Sequence, residues 1–133
     1  MILNVKVIAP DRIVWETEAE EVILPSGTGQ LGILTGHAPL ITALDIGVMR
    51  VRINGKWVPL ALMGGFAEVE NNKITVIISS AEEGSSIKIS EAEAALEKAM
   101  ELSNLATSPR QLIETKRNLK KARTRVQAAI LSQ

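Results

Sequence analysis

Hydrophobic and polar residues alternate along the first eighty positions of this chain. Leu3, Val5 and Val7 are spaced by Asn4 and Lys6, while Met49, Val51 and Ile53 are spaced by Arg50 and Arg52. Ile74, Val76 and Ile78 keep the same rhythm beside Thr75 and Ser79. A period of two gives an extended strand one face for a core and one for solvent. Turn-forming pairs punctuate these runs at Pro10-Asp11, Ser26-Gly27, Asn54-Gly55 and Asn71-Asn72. Asn54-Gly55 accepts positive φ at both central positions and predicts a type I′ hairpin. Many short strands at regular spacing predict an antiparallel sandwich or barrel.

The rhythm changes after Ala81–Ser86, a Glu/Gly/Ser segment expected to act as a hinge. Ser90 with Glu93, and Ser108-Pro109 with Gln111, have the spacing of capping boxes, the second with proline at the first helical position. They predict helices over about 91–106 and 109–131, joined too tightly for anything but an antiparallel hairpin. The expected architecture is an all-β antiparallel sandwich over residues 1–86 followed by a two-helix hairpin over 87–133.

Steps of about 100° per residue assign the helix faces. On the second helix Leu112, Leu119, Ala122, Val126 and Ala129 form a packing stripe. Lys116, Lys120 and Arg123 flank it, and Arg110, Arg117, Lys121 and Arg125 fall on the far side. On the first helix the stripe is Ala92, Ala95, Ala99, Leu102 and Ala106, with Glu93, Glu97 and Glu101 pointing away. Two helices enclose no core of their own and must dock on something. Docking through alanines, at about 0.8 kcal/mol per buried methyl, amounts to a few kcal/mol after entropy. The sequence thus permits a detachable hairpin, although weak packing alone does not establish a switch.

Composition narrows the function. A chain of 133 residues holds one domain, or one domain with an appendage. Its hydrophobic content of 46% is ordinary, and no apolar run reaches the ~18 residues of a membrane span. Met1–Val7 alternates instead of forming a signal-peptide core, so secretion is not expected. Without cysteine there is no disulfide framework or thiolate zinc site, in keeping with a reducing compartment. The net charge of zero divides unevenly: seven Lys or Arg against Glu114 from Pro109 onward give +6, leaving −6 for the remainder.

Candidate chemistry is sparse. Gly27, Gly29 and Gly32 fit a G-x-G-x-x-G spacing after a plausible strand, yet no helix follows to hold a pyrophosphate, and a turn between strands is expected instead. His37 is the lone histidine, with no neighbouring ligand spacing and no nucleophile to serve, which leaves a turn residue bonding locally or a partner contact. Glu20-Glu21 and Glu82-Glu83 are adjacent carboxylates; strand neighbours face opposite ways, so solvated surface is expected of both pairs. No catalytic constellation emerges. The basic face of the second helix is a solvated face or a grip on an acidic partner. Nucleic acid is disfavoured by one Phe, two Trp, no Tyr and the acidic body.

Longer motifs carry a resemblance. Gly29-Gln-Leu-Gly-Ile-Leu, then Gly36-His-Ala-Pro-Leu, then Ala61-Leu-Met-Gly-Gly-Phe-Ala-Glu-Val, lie between Leu3-Asn-Val-Lys-Val-Ile and Lys121-Ala-Arg-Thr-Arg-Val-Gln-Ala. Together they resemble the epsilon subunit of F-type ATP synthases over the whole length. Arg12-Ile-Val-Trp-Glu and the C-terminal run look most like the cyanobacterial and chloroplast branch. The resemblance implies a non-catalytic subunit with no cofactor. It would join gamma to the c-ring in the rotor, restrain ATP hydrolysis through its helices and lie peripherally on the cytoplasmic or stromal face of a thylakoid membrane. It would not be a homo-oligomer. By resemblance His37, Ala38, Pro39 and Thr42 match the gamma contact, and Gln30 and Leu31 the c-ring contact. Lys116, Lys120 and Arg123 would face an acidic loop of the beta subunits. Gln30 stands where many bacterial relatives carry an acid. Some of those relatives hold ATP through Ile/Leu-Asp-x-x-Arg-Ala; here the stretch is Ile89-Ser-Glu-Ala-Glu-Ala, with Ser90 for the Asp and Glu93 for the Arg. No useful ATP affinity is expected. The alternative reading is a free-standing regulatory module sensing a small ligand or RNA.

Overall fold

The computed structural model describes residues 2–133. Eight strands precede two helices: β1 (Leu3–Ala9), β2 (Arg12–Ala19), β3 (Glu21–Ser26), β4 (Gly29–Ile33), β5 (Leu40–Ile53), β6 (Lys56–Glu70), β7 (Lys73–Ile77), β8 (Ala81–Glu83), α1 (Ile89–Leu105) and α2 (Pro109–Leu131). They make one open sheet, ordered β2-β1-β7-β6-β5-β3-β4 with β8 on β6, folded over on itself as a sandwich. Every pairing is antiparallel except β1 with β7, which run parallel. The Asn54-Gly55 turn has φ of 51° and 77°, and Ile53 pairs with Lys56 across it, as a type I′ hairpin requires. Asn71 and Asn72, at 49° and 60°, make a second one.

The long hairpin of β5 and β6 belongs to both layers. Core residues sit at Leu44 and then at Met49 and Val51 on β5, and at Leu60 and Leu62 and then at Ala67 and Val69 on β6. The alternation thus changes phase at Asp45 and at Gly64-Gly65, where the register between the strands is interrupted. Gly65 has φ +141°, and a Cβ there would collide with the carbonyl of Ile77. The bend needs a residue without one. Inward rows from Leu3, Val5, Val7, Val22, Leu24, Met49, Val51, Leu60, Ile74 and Val76 fill the sandwich.

Several expectations change. Ala81–Glu83 is a strand on Leu60–Leu62 of β6, and Gly84–Ser86 a 3₁₀ turn, so half of the expected hinge is sheet. It pairs the stretch of β6 that β7 does not reach. Ser108 and Gln111 form the predicted capping box. Ser90 and Glu93 do not: α1 starts at Ile89 with Lys88 at the cap and no side-chain bond. Ser90 is already helical, and its hydroxyl is past the position that reaches the free N–H groups. The half-buried positions of α1 beside Ala92 are Ile89, Leu96, Ala99 and Ser103, followed by Ala106 at its C-cap, whereas Ala95 and Leu102 are exposed. Leu112 is likewise exposed.

The hairpin docks mainly through α2, and Ala92 is the one residue of the α1 alanine stripe that is buried with it. Ala128 and Ala129, with Ala92 from the first turn of α1, pack on Val48, Ala61 and Ile87. Thr124 is buried on the same helix. Small residues bring the helix axis close to the sheet. A Cβ on Gly84 would overlap the Ala128 carbonyl.

Candidate functional site

Two surfaces carry the groups that the sequence singled out. The first is built on the outer face of the layer made by β2, β1, β7 and the outer halves of β6 and β5. Cross-strand partners Ala43–Phe66, Phe66–Ile77, Ile77–Ile8 and Ile8–Ile13 line up as one row over five strands. Phe66 is 58% exposed, Ile77 49% and Ile13 54%. At about 4.8 Å per strand the row is roughly 19 Å long. Ile41, 77% exposed, stands beside it on β5. A contiguous apolar row across a solvent face marks an interaction site. Sequence reasoning missed Ile41, Ala43, Phe66 and Ile77, because the phase change in β5 and β6 hides which alternate set faces out.

The loop before β5 adjoins this row. His37 N–H bonds to the Leu34 carbonyl at 3.2 Å, closing a turn. Its ring Nδ1 lies 2.7 Å from the Ala38 carbonyl, which can only accept, so the proton sits on Nδ1. Gly36 N–H donates to Asn72 Oδ1 at 2.7 Å, anchoring the loop to the β6–β7 turn. Ala38 and Pro39 are exposed; Thr42 is half-buried on the inward row with Ala67.

The glycine spacing is a hairpin. Ser26 pairs with Gly29, its hydroxyl donates to the Gly29 carbonyl at 2.6 Å, and β4 follows with no helix. Gln30 is exposed, and its amide oxygen accepts from Arg50 at 3.1 Å. Arg50 and Arg52 lie 5.8 and 5.7 Å from the ring centroid of Trp57. Leu31 pairs with buried Leu24 and packs against the core, so Gln30 is the residue of the two that faces fully outward.

The second surface is α2. Lys120 Nζ forms a short ion pair with Asp45 at the β5 bend. Arg125 makes a two-pronged bond to Glu82 of β8, at 2.9 and 3.2 Å. Hydrogen bonding to Lys120 holds the Asp45 carboxyl below its ordinary value, and the bond to Glu82 raises Arg125. These pairs correct two expectations. Arg125 is not on a free face, and Glu82 is half-buried and paired, not solvated. Glu21 likewise pairs with Arg52 at 3.3 Å, and Glu20 accepts from Gly55 N–H at 2.7 Å. Lys116, Arg117 and Arg123 stay exposed and enter no ion pair among the described residues. Among those residues no three His, Cys, Asp or Glu gather as for a metal ion.

Comparison with known proteins decides the family. Residues 2–84 match the model of the ATP synthase delta/epsilon chain β-sandwich domain. The chain belongs to the ATP synthase delta/epsilon family. Over 129 residues it is 60% identical to the chloroplastic ATP synthase epsilon chain of Porphyra purpurea, covering 97% of this chain and 96% of the relative. It is 55% identical over 132 residues to the epsilon chain of a Cyanothece species, covering 97% and 96%. A chain in the cryo-EM structure of the Euglena gracilis mitochondrial ATP synthase OSCP/F1/c-ring superposes with a TM-score of 0.84 at 20% identity, over 97% of this chain and 81% of that one. A chain of the Tetrahymena thermophila mitochondrial ATP synthase central stalk and c-ring gives 0.66 at 12% identity, over 95% of each. At such identities the structures bear on the fold alone. Its relatives make this delta/epsilon family member a non-catalytic subunit of the epsilon type, on the chloroplast and cyanobacterial branch.

Proposed function

We propose that this chain is the epsilon-type rotor subunit joining gamma to the c-ring. It would lie peripherally on the cytoplasmic or stromal face of a thylakoid membrane, as a sandwich (1–86) that binds the rotor and a separable hairpin (87–133). The observation that carries the reading is the Ala43–Phe66–Ile77–Ile8–Ile13 row beside the anchored His37 loop. Covering the exposed half of a Phe or Ile contributes about 0.8–1.5 kcal/mol. Such a row on a single chain is a reason to be covered by gamma, with His37, Ala38 and Pro39 at its margin and Thr42 behind it. Gln30 leads the contact with the c-ring, with Leu31 supporting it from the core side. Phe66→Glu should abolish gamma binding while leaving the melting temperature of the isolated chain within a degree or two. Retained binding would refute the assignment.

The hairpin would restrain ATP hydrolysis by presenting basic residues to an acidic loop of the beta subunits. Lys116 and Arg123 are exposed and enter no ion pair among the described residues, which supports this role for them; Lys120 is engaged by Asp45 in the docked form. Lys116→Glu with Arg123→Glu should release ATP hydrolysis at low salt, where exposed charges count most, without loss of gamma binding. Unchanged inhibition would refute the role.

A further inference from the structure

Arg50 is held in place without being neutralised. From β5 its guanidinium reaches across β3 and donates to the Gln30 amide oxygen of β4 at 3.1 Å. It also lies 5.8 Å from the ring centroid of Trp57 on β6. Arg52, two residues on, is placed alike against Trp57 but pairs with Glu21 at 3.3 Å. Arg50 enters no ion pair among the described residues. It is a full charge fixed from two sides by neutral groups, with one prong of its N–H fork in use. The surface beside it is open. Ile23 pairs with both Arg50 and Gly32, and a Cβ on Gly32 would meet nothing within 4 Å. Gly32 has no positive φ, so neither packing nor backbone conformation calls for a glycine there, and its bare backbone leaves room over β4 for an incoming loop.

We propose that Arg50 takes a carboxylate from the exposed loop of the c-ring, with Gln30 as the residue that positions it. This rests on the c-ring contact proposed above and gives that contact a polarity. An acid in place of Gln30 would lie within reach of Arg50 and cancel its charge internally, whereas the amide orients the guanidinium and leaves the charge intact. The face therefore offers donors, and the matching partner is an acceptor. A planar carboxylate meets a guanidinium in two parallel bonds, and a guanidinium already fixed loses little freedom on binding it. Anionic headgroups fit less well. Recruitment to a lipid surface takes clusters of about four to eight basic residues, and with Arg52 paired, Arg50 is the one unpaired arginine of this face among the described residues.

The test uses the full chain bound to gamma, added to membranes that hold the c-ring and have been stripped of the catalytic head. Arg50→Gln should weaken binding about ten- to a hundredfold, the loss expected for hydrogen bonds between charged groups. Arg50→Lys keeps the charge but not the fork and should recover only part of it. Gln30→Glu, on an exposed position, should weaken binding about three- to tenfold by cancelling Arg50. In the c-ring, changing the loop carboxylate that pairs with Arg50 to its amide should cost the parent chain the same factor as R50Q and cost the R50Q chain nothing more. Parent-like binding by R50Q, tighter binding by Q30E, or no loop carboxylate coupled to Arg50 overturns the proposal. If R50Q lowers the melting temperature of the isolated chain, the Q30E and loop variants decide. Binding of the parent to protein-free vesicles of the same lipids as tightly as to the c-ring membranes would overturn the c-ring reading as well. Preference for the c-ring membranes that R50Q leaves intact would remove the Arg50 assignment alone.

Discussion

Replacing Gly84 by alanine should detach the hairpin while sparing the sandwich. Gly84 is buried beneath the last turns of α2, where an added Cβ would overlap the Ala128 carbonyl and press on Pro59 Cγ at 3.1 Å. Its φ lies outside the positive region, so the change acts through space alone. Neither obstacle is the tip of a flexible side chain, and overpacking of this kind costs about 1–3 kcal/mol. The docked contact that must absorb the cost is a patch of small residues with two part-exposed ion pairs, worth about 0.2–1 kcal/mol each. Cost and docking are of similar size. Hydrogen exchange in the second half of α2 should therefore accelerate by about five- to 150-fold, with β1, β5 and β7 unchanged. Equal acceleration in the strands would mean that Gly84 supports the body as a whole. No acceleration in α2 would mean that the helix is held by something other than this close approach.

Acid should loosen the hairpin. Asp45 is held below its ordinary value by Lys120, so its contribution is complete above the usual carboxylate range and is lost as pH falls from about 4 through the lowered value. Arg125, raised by Glu82, loses its share only above the ordinary arginine range, so no alkaline release is expected below pH 10 or so; the distance between spin labels on Lys56→Cys and Asn118→Cys in this cysteine-free chain, followed against pH, checks both limbs. Asn72→Gly keeps the left-handed backbone but removes the bond to Gly36, so the chain should lose about 0.5–1.5 kcal/mol in denaturant unfolding and bind gamma more weakly. Ala38→Asp, on an exposed position, should leave melting unchanged and weaken gamma binding; a collapse in melting temperature would make Ala38 part of the core. Titration calorimetry with Mg-ATP should detect no micromolar binding, since Glu93 is exposed near the start of α1 where an arginine would have to hold phosphate. Such binding would restore an ATP-sensing role.

Features governed by near neighbours were legible in the sequence, and those governed by distant ones were not. The type I′ turn at Asn54-Gly55 and the start of α2 followed from a few adjacent residues each. The Ser90 box failed because spacing identifies residues with the separation of a cap, while the actual start at Ile89 settles the role. Lys120 and Asp45 are 75 positions apart, and Arg125 and Glu82 are 43, so helix geometry alone put Arg125 on a free face. The apolar outer row stayed hidden for a related reason. Alternation shows that one face is apolar, but the phase change at Asp45 and Gly64-Gly65 turns Phe66 and Ile41 outward in strands whose other halves follow the opposite phase. The family motifs pointed to the loops beside that row, and the fold supplied the row itself.

The most direct measurement is the native state of the chain in its own cell. A tagged chain released from membranes by mild detergent should migrate with gamma and the c-ring in one large assembly, and the Phe66→Glu chain should migrate alone. Recovery of the parent chain as a free monomer, with no gamma beside it, would contradict the rotor assignment.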